Sequence, residues 1–302
     1  MRWLKKRFKR AGDAVVGALA VGLLNGARHF NPDRLSDFAG SLMRRVGPLL
    51  RENRIGRDNL KAAFPEKSDE EIARILADVW DNLGRVGVEF AHIDHIWDYD
   101  ISHPNSGRIE FTPETAARFD ALRDDGKPAL IFAAHTGNWE LPALAGPAHG
   151  LDCAVLYRRP NIAAVNRAIE SIRAMNMGQM IPTTMDAPRR LAEALERGLH
   201  VGMLVDQHFG RGVDVMFFGR SVKANPLLAR LARQIECPIH GTRVIRLPNH
   251  RFRAELTPEI APVRDSEGKI DVALTTQKIT SVIEGWIRET PEQWLWLHRR
   301  WR

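Results

Sequence analysis

Residues 130–140 read LIFAAHTGNWE, and this segment decides how the rest of the chain is interpreted. Its apolar first half has the length and composition of a buried strand, and Leu141 and Pro142 then begin a helix with proline in its first turn. In a regular helix five residues rotate by about 500°, which leaves His135 and Glu140 about 140° apart. The two side chains meet more easily on a strand-to-helix turn, so the segment predicts a candidate active site at that turn.

Strands and helices alternate from about residue 108 to the C-terminal part of the chain. Apolar strand candidates occur at residues 109–111, 130–134, 153–157, 201–205 and 238–246. This alternation predicts an α/β fold with an open mixed sheet flanked by helices, in which functional groups follow the carboxyl ends of strands. His135, Arg158 and Asp206 each follow such a strand. We therefore expect these three side chains to lie near one another.

The chain is predicted to contain one small N-terminal segment and one large domain. Residues 1–30 form a basic and apolar helix, and residues 31–302 form the domain that carries the site. Residues 31–107 of that domain have a helical pattern, with a capping box at Ser68 and Glu71 before a long helix. Residues 108–302 form the α/β part.

The N-terminal segment has the composition of a membrane-associating helix. Six of its first ten residues are cations, interleaved with Trp3, Leu4 and Phe8. The apolar stretch at residues 11–24 is shorter than the roughly 20 residues that span a bilayer, and it contains Asp13. No clear cleavage site marks a secretory signal. The pattern favours an interfacial or single-pass anchor in an anionic leaflet, and the alternative is a solvated basic helix packed on the domain.

Composition narrows the classes of partner. The net charge of +7 and a pI of about 9.8 indicate an anionic partner, which is a lipid surface, a nucleic acid or a phosphorylated substrate. The α/β region does not cluster its cations with aromatic residues, which argues against nucleic acid. Cys153 and Cys237 lie far apart without ligand spacing, so we predict two reduced, buried thiols and neither a disulfide nor a metal site.

The predicted corner suits acyl transfer. A histidine beside a carboxylate can take a proton from a hydroxyl group while that oxygen attacks an acyl carbon. The chain has no Gly-x-Ser-x-Gly segment, so direct transfer to a bound alcohol is a simpler scheme than a covalent hydrolase. By itself, His135-x4-Glu140 is more typical of a structural histidine at a strand end beside a solvated glutamate than of an active site.

Several spaced segments taken together resemble one family. The motif at residues 135–140 resembles the His-x4-Asp/Glu motif of the bacterial lipid A biosynthesis acyltransferases, the lauroyl/myristoyl acyltransferase family. Further segments match in the same order, at residues 59–65, 157–161, 206–207 followed by 215–219, and 291–301. The resemblance covers nearly the whole chain and implies a fold like that of the glycerolipid acyltransferases.

The resemblance also implies a reaction and a location. An acyl-carrier-protein thioester is the donor, a hydroxyl of a Kdo-bearing lipid A precursor is the acceptor, and no cofactor is required. The enzyme acts at the cytoplasmic face of the Gram-negative inner membrane. His135 is the general base and Glu140 is its partner.

Three more residues are predicted to bind substrate, namely Arg158, Asp206 and Asn138. Arg158 can stabilise oxyanion charge or hold a lipid phosphate, and its alternative is a surface cation. Asp206 can orient a basic group or bind sugar, or it is a structural carboxylate. Two other functions remain open, which are an acyltransferase for lysophosphatidate or an aminolipid, and a non-catalytic basic membrane-binding protein.

Overall fold

The computed structural model describes residues 2–174 and 177–301. Its central element is a β-sheet. Seven strands form this sheet in the order β1-β9-β8-β2-β5-β3-β4, and β6 and β7 form a separate hairpin. The strands are β1 Ile109–Phe111, β2 Leu130–Ala133, β3 Cys153–Tyr157, β4 Gln179–Pro182, β5 His200–Leu204, β6 Val213–Phe217, β7 Arg220–Ala224, β8 Ile239–Arg246 and β9 Phe252–Leu256. Every pair in the large sheet is parallel except β8 with β9.

Helices cover both faces of the sheet and form the N-terminal part of the chain. They are α1 Arg2–Ala27, α2 Pro32–Val46, α3 Arg51–Ala63, α4 Asp69–Glu89, α5 Ile93–Ile96, α6 Pro113–Asp124, α7 Pro142–Ala148, α8 Ala163–Ala174, α9 Ala187–Glu196, α10 Leu227–Gln234 and α11 Val272–Glu289. Short 3-10 turns occur at Gly47–Leu49, Phe90–His92 and Pro291–Gln293. The predicted α/β fold with an open mixed sheet is confirmed.

The register of β2 explains why the predicted strand ends converge. β2 lies between β5 and β8, with Phe132 opposite Met203 on one side and Gly241 on the other. β5 in turn pairs with β3 in parallel. Since parallel strands end at the same edge, the residues that follow β2, β5 and β3 lie side by side. This edge holds His135, Asp206 and Arg158.

Two apolar clusters hold the helices to the sheet. On one face Phe132 is fully buried and stacks on Trp286 of α11, with ring centroids 5.6 Å apart. On the other face Leu144 of α7 and Phe119 of α6 belong to the second cluster. Residues 131 and 132 of β2 point to opposite faces, because side chains alternate along a strand. Both clusters therefore fix the strand that leads to His135.

The helical N-terminal part begins with α1, as the sequence predicts. The basic side chains within residues 2–10 lie outside the described residues. Among the helices of residues 2–174 and 177–301, none combines the length and the apolar character needed to cross a membrane. The predicted capping box before α4 is confirmed, since Ser68 caps the Glu71 amide and the Glu71 carboxylate accepts from the Ser68 amide.

Candidate active site

The site is centred on His135, which lies two residues beyond β2. Its backbone N–H donates to Asp206 Oδ2 over 2.9 Å, and its ring Nδ1 lies 2.7 Å from Asp206 Oδ1. Asp206 lies two residues beyond β5, the parallel neighbour of β2. Its side chain is fully buried, whereas the His135 side chain is 14% exposed. One carboxylate thus fixes both the backbone and the ring of the histidine.

A third donor reaches Asp206 from the C-terminal segment. The Trp294 indole Nε1–H donates to Asp206 Oδ2 over 2.7 Å, and this tryptophan is 1% exposed. The backbone of Trp294 bridges to Thr136, and the Leu295 amide donates to the His135 carbonyl over 3.0 Å. Buried Asn59 of α3 donates to the carbonyls of Trp296 and His298 and so holds the segment in place. Three donors therefore hold the Asp206 carboxylate in one orientation.

The electrostatics of the pair favour a charged carboxylate. Burial disfavours ionisation of Asp206, but the positive His135 ring and its hydrogen bonds hold the Asp206 pKa well below its usual range. Burial alone lowers the pKa of His135, and the Asp206 charge and hydrogen bond outweigh it, so the pKa is raised above 6.5. With Nδ1–H donated to Asp206, neutral His135 presents Nε2 as its proton acceptor. The Gln207 amide nitrogen lies 3.2 Å from Nε2.

Glu140 has a different partner from the one predicted. Its carboxylate makes two hydrogen bonds with Arg173 of α8, at 2.9 Å from Nε and 2.6 Å from Nη2. Both side chains are mostly buried, and the guanidinium also lies over the rings of Phe90 and Tyr157. Planar bidentate pairing with an arginine satisfies a carboxylate better than one imidazole N–H does. The carboxylate bonded to the His135 ring is therefore Asp206, and the expected His135–Glu140 pairing is corrected.

Asn138 lies beneath the turn that carries His135 and is not among the residues that line the neighbouring cavity. Its side chain is completely buried, donates to Glu89 Oε2 over 2.9 Å and accepts from the Glu140 amide. The preceding Gly137 has φ of +55°, and a β carbon there lies 2.1 Å from the Val244 carbonyl oxygen. Asn138 thus shapes the turn that carries His135, and its predicted role in substrate binding stays a prediction.

A buried ion pair supports this turn from below. Glu89 at the end of α4 pairs with Arg246 at the end of β8, with 2.8 Å between Oε2 and Nη2. Ser36 of α2 also donates to Glu89, and Arg246 Nε donates to Asn82 Oδ1. Asn82 in turn donates to the Gly137 carbonyl over 2.9 Å. Helices α2 and α4 are therefore connected to the His135 turn through hydrogen bonds.

We expect Arg246→Met to lower the free energy of unfolding by about 3–5 kcal/mol, measured by urea denaturation. The Glu89 side chain is only 4% exposed, so removing Arg246 leaves a buried charge without its counterion. Arg264→Met is the matched control, because Arg264 pairs with Glu236 at the surface, where solvent screens the charges. Equal effects of the two substitutions contradict the prediction.

A cavity of about 600 Å³ opens beside His135. Arg158, Gln207 and Glu140 belong to its lining, and Arg158 is exposed there at the end of β3. Its floor is the sheet face formed by Ile131 and Ala133 of β2, Gly202 and Leu204 of β5, and Cys153 and Val155 of β3. Its walls include Phe119, Leu122, Ala143, Gly146, Met177 and Met180. The cavity therefore joins a polar edge to an apolar interior.

The cavity runs along the strands. It includes His200 at the start of β5 and Gln207 beyond its end. Six residues of extended chain at ~3.3 Å each correspond to about 20 Å between positions 200 and 206. A long apolar chain can therefore lie in the cavity with its polar end at His135.

Cys153 and Cys237 form no disulfide, and burial raises the pKa of the Cys153 thiol to about 12.

The structure brings together His135, Asp206, Arg158 and Glu140 at one edge, and it adds residues that the sequence did not reveal as site residues. These are Arg173, Trp294, Gln207 and the Glu89–Arg246 pair. The C-terminal segment of Trp294 was part of the family-like pattern, but its contact with Asp206 spans 88 residues. Within the described part of the chain, no group of three or more His, Cys, Asp or Glu residues is arranged to hold a metal ion.

Comparisons with known proteins identify one matching family. The sequence profile of the family described as bacterial lipid A biosynthesis acyltransferase matches residues 4–302. The chain is 25% identical over 264 residues to the lipid A biosynthesis palmitoleoyltransferase of Escherichia coli (strain K12), covering 84% of this chain and 80% of that protein. It has the same identity and coverage with the lipid A biosynthesis acyltransferase of Shigella flexneri.

Proposed function

The chain belongs to the bacterial lipid A biosynthesis acyltransferase family, and from that premise we propose a specific reaction. It transfers a fatty acyl chain from an acyl-carrier-protein thioester to a hydroxyl of a Kdo-bearing lipid A precursor. Acyl transfer in lipid A biosynthesis follows from the family. The observation that supports base-catalysed transfer is the His135–Asp206 pair, whose Nε2 side faces Gln207 at the polar end of an apolar cavity. The carrier-protein donor and the Kdo-bearing acceptor are proposed from the family resemblance.

In this proposal His135 is the general base. Its Nε2 takes the proton of the acceptor hydroxyl as that oxygen attacks the thioester carbonyl carbon. A C–O bond forms, the C–S bond breaks, and the departing thiolate takes the proton from the imidazolium. Asp206 holds the ring in the required tautomer and stabilises its transient positive charge. The acceptor hydroxyl replaces the Gln207 amide, which lies 3.2 Å from Nε2. The scheme uses no cofactor beyond the thioester.

The cations at the edge of the cavity are assigned to anionic parts of the substrates. Arg158 is exposed in the cavity lining, and no ion pair engages its guanidinium within the described residues. It is therefore available to a phosphate of the lipid precursor or to the developing oxyanion. Arg173 is less available, because Glu140 occupies its guanidinium. We assign the Glu140–Arg173 pair to the cavity wall, where it fixes α8 against the His135 turn.

Helix α1 supports a proposed location at the cytoplasmic face of the inner membrane. Val15, Val16, Leu19 and Leu23 are 53–75% exposed on this helix. Its buried Gly17 lies against α8 and the residue before it, Ile162, so α1 is close to the chain that follows Arg158. An exposed apolar helix face is suited to insertion at the boundary of an anionic leaflet. The lipid acceptor then reaches the cavity from the membrane without entering water.

The test is acyl transfer with purified protein. The protein is mixed with an acyl-carrier-protein thioester and the Kdo-bearing precursor, and the lipid is analysed by mass spectrometry for the added acyl mass. The same assay with acyl coenzyme A identifies the donor, and lysophosphatidate identifies a different acceptor. Product from coenzyme A alone or from lysophosphatidate alone overturns the stated donor or acceptor. Absence of product with every thioester overturns the transferase.

We expect Gly202→Met to shorten the acyl chain that the enzyme prefers. Gly202 lies on the cavity floor, and a β carbon there meets only Val155 Cγ2, at an ordinary 3.9 Å, so the new side chain extends into the cavity. Two methylenes excluded from burial, at about 0.8 kcal/mol each, change the kcat/KM ratio of long to short donors by about tenfold. The ratio is measured with paired donors in competition.

Gly285→Met is the control for the chain-length prediction. Gly285 is exposed on α11 and has open space around a β carbon, so the substitution adds the same side chain away from the cavity. It should leave the donor ratio as in the wild type. An unchanged ratio in Gly202→Met contradicts the assignment of the cavity to the acyl chain.

A further inference from the structure

Exposed apolar side chains are concentrated in the first fifty residues. Ten of the sixteen large apolar residues that are exposed in the described part of the chain lie between Val15 and Leu50. Five of these ten are on α2 and the turn after it, outside the helix already assigned to the membrane. They are Phe38, Leu42, Val46, Leu49 and Leu50, with exposures from 39% to 83%, and we call them the α2 surface. Exposed apolar groups in a contiguous set indicate an interaction site.

Helix α2 has one buried face and one exposed apolar face. Ser36 and Gly40 are buried towards α4, where Ser36 donates to Glu89. At about 100° per residue, Phe38 lies about 160° from both of them, so it points away from the domain. Leu42 is about 40° from Phe38 on the same side. Phe38 and Leu42 therefore point away from the residues that bury Ser36 and Gly40, and both remain exposed although the opposite face of the helix is packed.

Cations accompany this apolar face. Arg34 and Arg45 are exposed and lie about 40° and 20° from Phe38 around the helix. In the described part of the chain neither guanidinium has an ion pair, whereas Asp33 of α2 pairs with Arg108, and Asp37 pairs with Arg85, which also pairs with Asp81. The unpaired charge beside the α2 surface is thus positive. Apolar side chains flanked by arginines complement a lipid surface with anionic headgroups.

We propose that the α2 surface docks on an anionic lipid bilayer and forms a second membrane contact in addition to α1. A convex helix face with projecting apolar side chains enters a deformable headgroup layer without a matching pocket. The two arginines meet lipid phosphates at the same depth. Ser36 connects α2 to Glu89, so the membrane-bound helix is also attached to the residues that support the His135 turn. This proposal does not rest on the acyl-transfer chemistry.

The test is partitioning of the full chain onto vesicles. Phosphatidylethanolamine vesicles with phosphatidylglycerol are sedimented with wild type and with the double variant Phe38→Ser/Leu49→Ser. The expected loss in the partition coefficient is about tenfold or more, because two large apolar side chains no longer enter the lipid. Leu274→Ser/Met185→Ser is the matched control, since both residues are exposed outside α1 and α2. Thermal unfolding confirms that each variant is folded.

The charge contribution is tested separately. Arg34→Ser/Arg45→Ser should weaken binding to vesicles with phosphatidylglycerol and leave binding to phosphatidylcholine vesicles unchanged. Unchanged partitioning of Phe38→Ser/Leu49→Ser overturns the proposal. It is also overturned if those substitutions dissolve a wild-type dimer, or weaken binding of acyl carrier protein, without reducing vesicle binding. Lipid binding is measured without substrate, so a protein without transferase activity that still binds vesicles through α2 refutes only the proposed reaction.

Discussion

Replacement of His135 by alanine is expected to lower kcat for acyl transfer by about 10²–10⁴-fold, which is the contribution of a positioned general base. The methyl side chain cannot accept the hydroxyl proton, and the Trp294 indole N–H that also reaches Asp206 is a donor only, so it cannot replace the imidazole as a base. The backbone N–H of residue 135 still donates to Asp206, so the turn is retained. The measurement is single-turnover mass spectrometry of the lipid product, with KM determined separately.

His103→Ala is the control for this substitution. His103 is an exposed histidine that pairs with Asp100 in the loop before β1, away from the cavity lining. Its replacement should leave kcat unchanged. Full turnover by the His135→Ala protein excludes His135 as the base, even if the family reaction itself takes place.

Asp206→Asn is expected to lower kcat by about 10²-fold or more and to move the acid limb of the pH profile to lower pH. Three N–H donors converge on the carboxylate, and the single carbonyl oxygen of an amide cannot accept all of them in place. The Asp206 charge is also what raises the His135 pKa against the effect of burial. Without it the imidazole loses its proton at lower pH, so the variant reaches its own maximal rate at lower pH than the wild type.

Glu140→Gln distinguishes the effect of Glu140 on the His135 pKa from the effect of Asp206. Glu140 adds only a minor charge effect to the His135 pKa and is hydrogen-bonded to Arg173. The acid limb should therefore move less than in Asp206→Asn. The kinetic measurement is kcat against pH under saturating donor and acceptor. A larger displacement in Glu140→Gln contradicts the assignment of Asp206 as the partner of the ring.

The strand ends of the site were predictable because local sequence determines them. Leu130–Ala133 is an apolar run, His135 lies two residues after it, and the parallel register then brings the ends of β2, β5 and β3 to one edge. Periodicity and strand-end chemistry are sufficient for that inference. It placed His135, Asp206 and Arg158 at one edge of the sheet, and their roles in the reaction stay predictions. Local capping chemistry likewise predicted the capping box of α4.

The hydrogen-bond partners were not predictable, because they depend on tertiary contacts. Glu140 is five residues from His135, yet it turns towards Arg173, which α8 supplies. Asn138 is polar and inside the motif, but its side-chain amide donates a hydrogen bond to buried Glu89. The sequence pattern predicts no helix or strand within residues 247–290, although this part of the chain contains β9 and α11. β9 pairs antiparallel with β8 in a sheet whose other strand pairs are parallel, and this pairing is evident only in three dimensions.

The contact between Trp294 and Asp206 determines when the site is assembled. His135 and Asp206 are synthesised well before residue 294, so the indole donor and the backbone bridge to Thr136 leave the ribosome later than the pair they contact. Such long-range contacts form late, because chain closure over many residues precedes them. A nascent chain stalled before residue 294 therefore has its base and its carboxylate but lacks the third hydrogen bond that orients them.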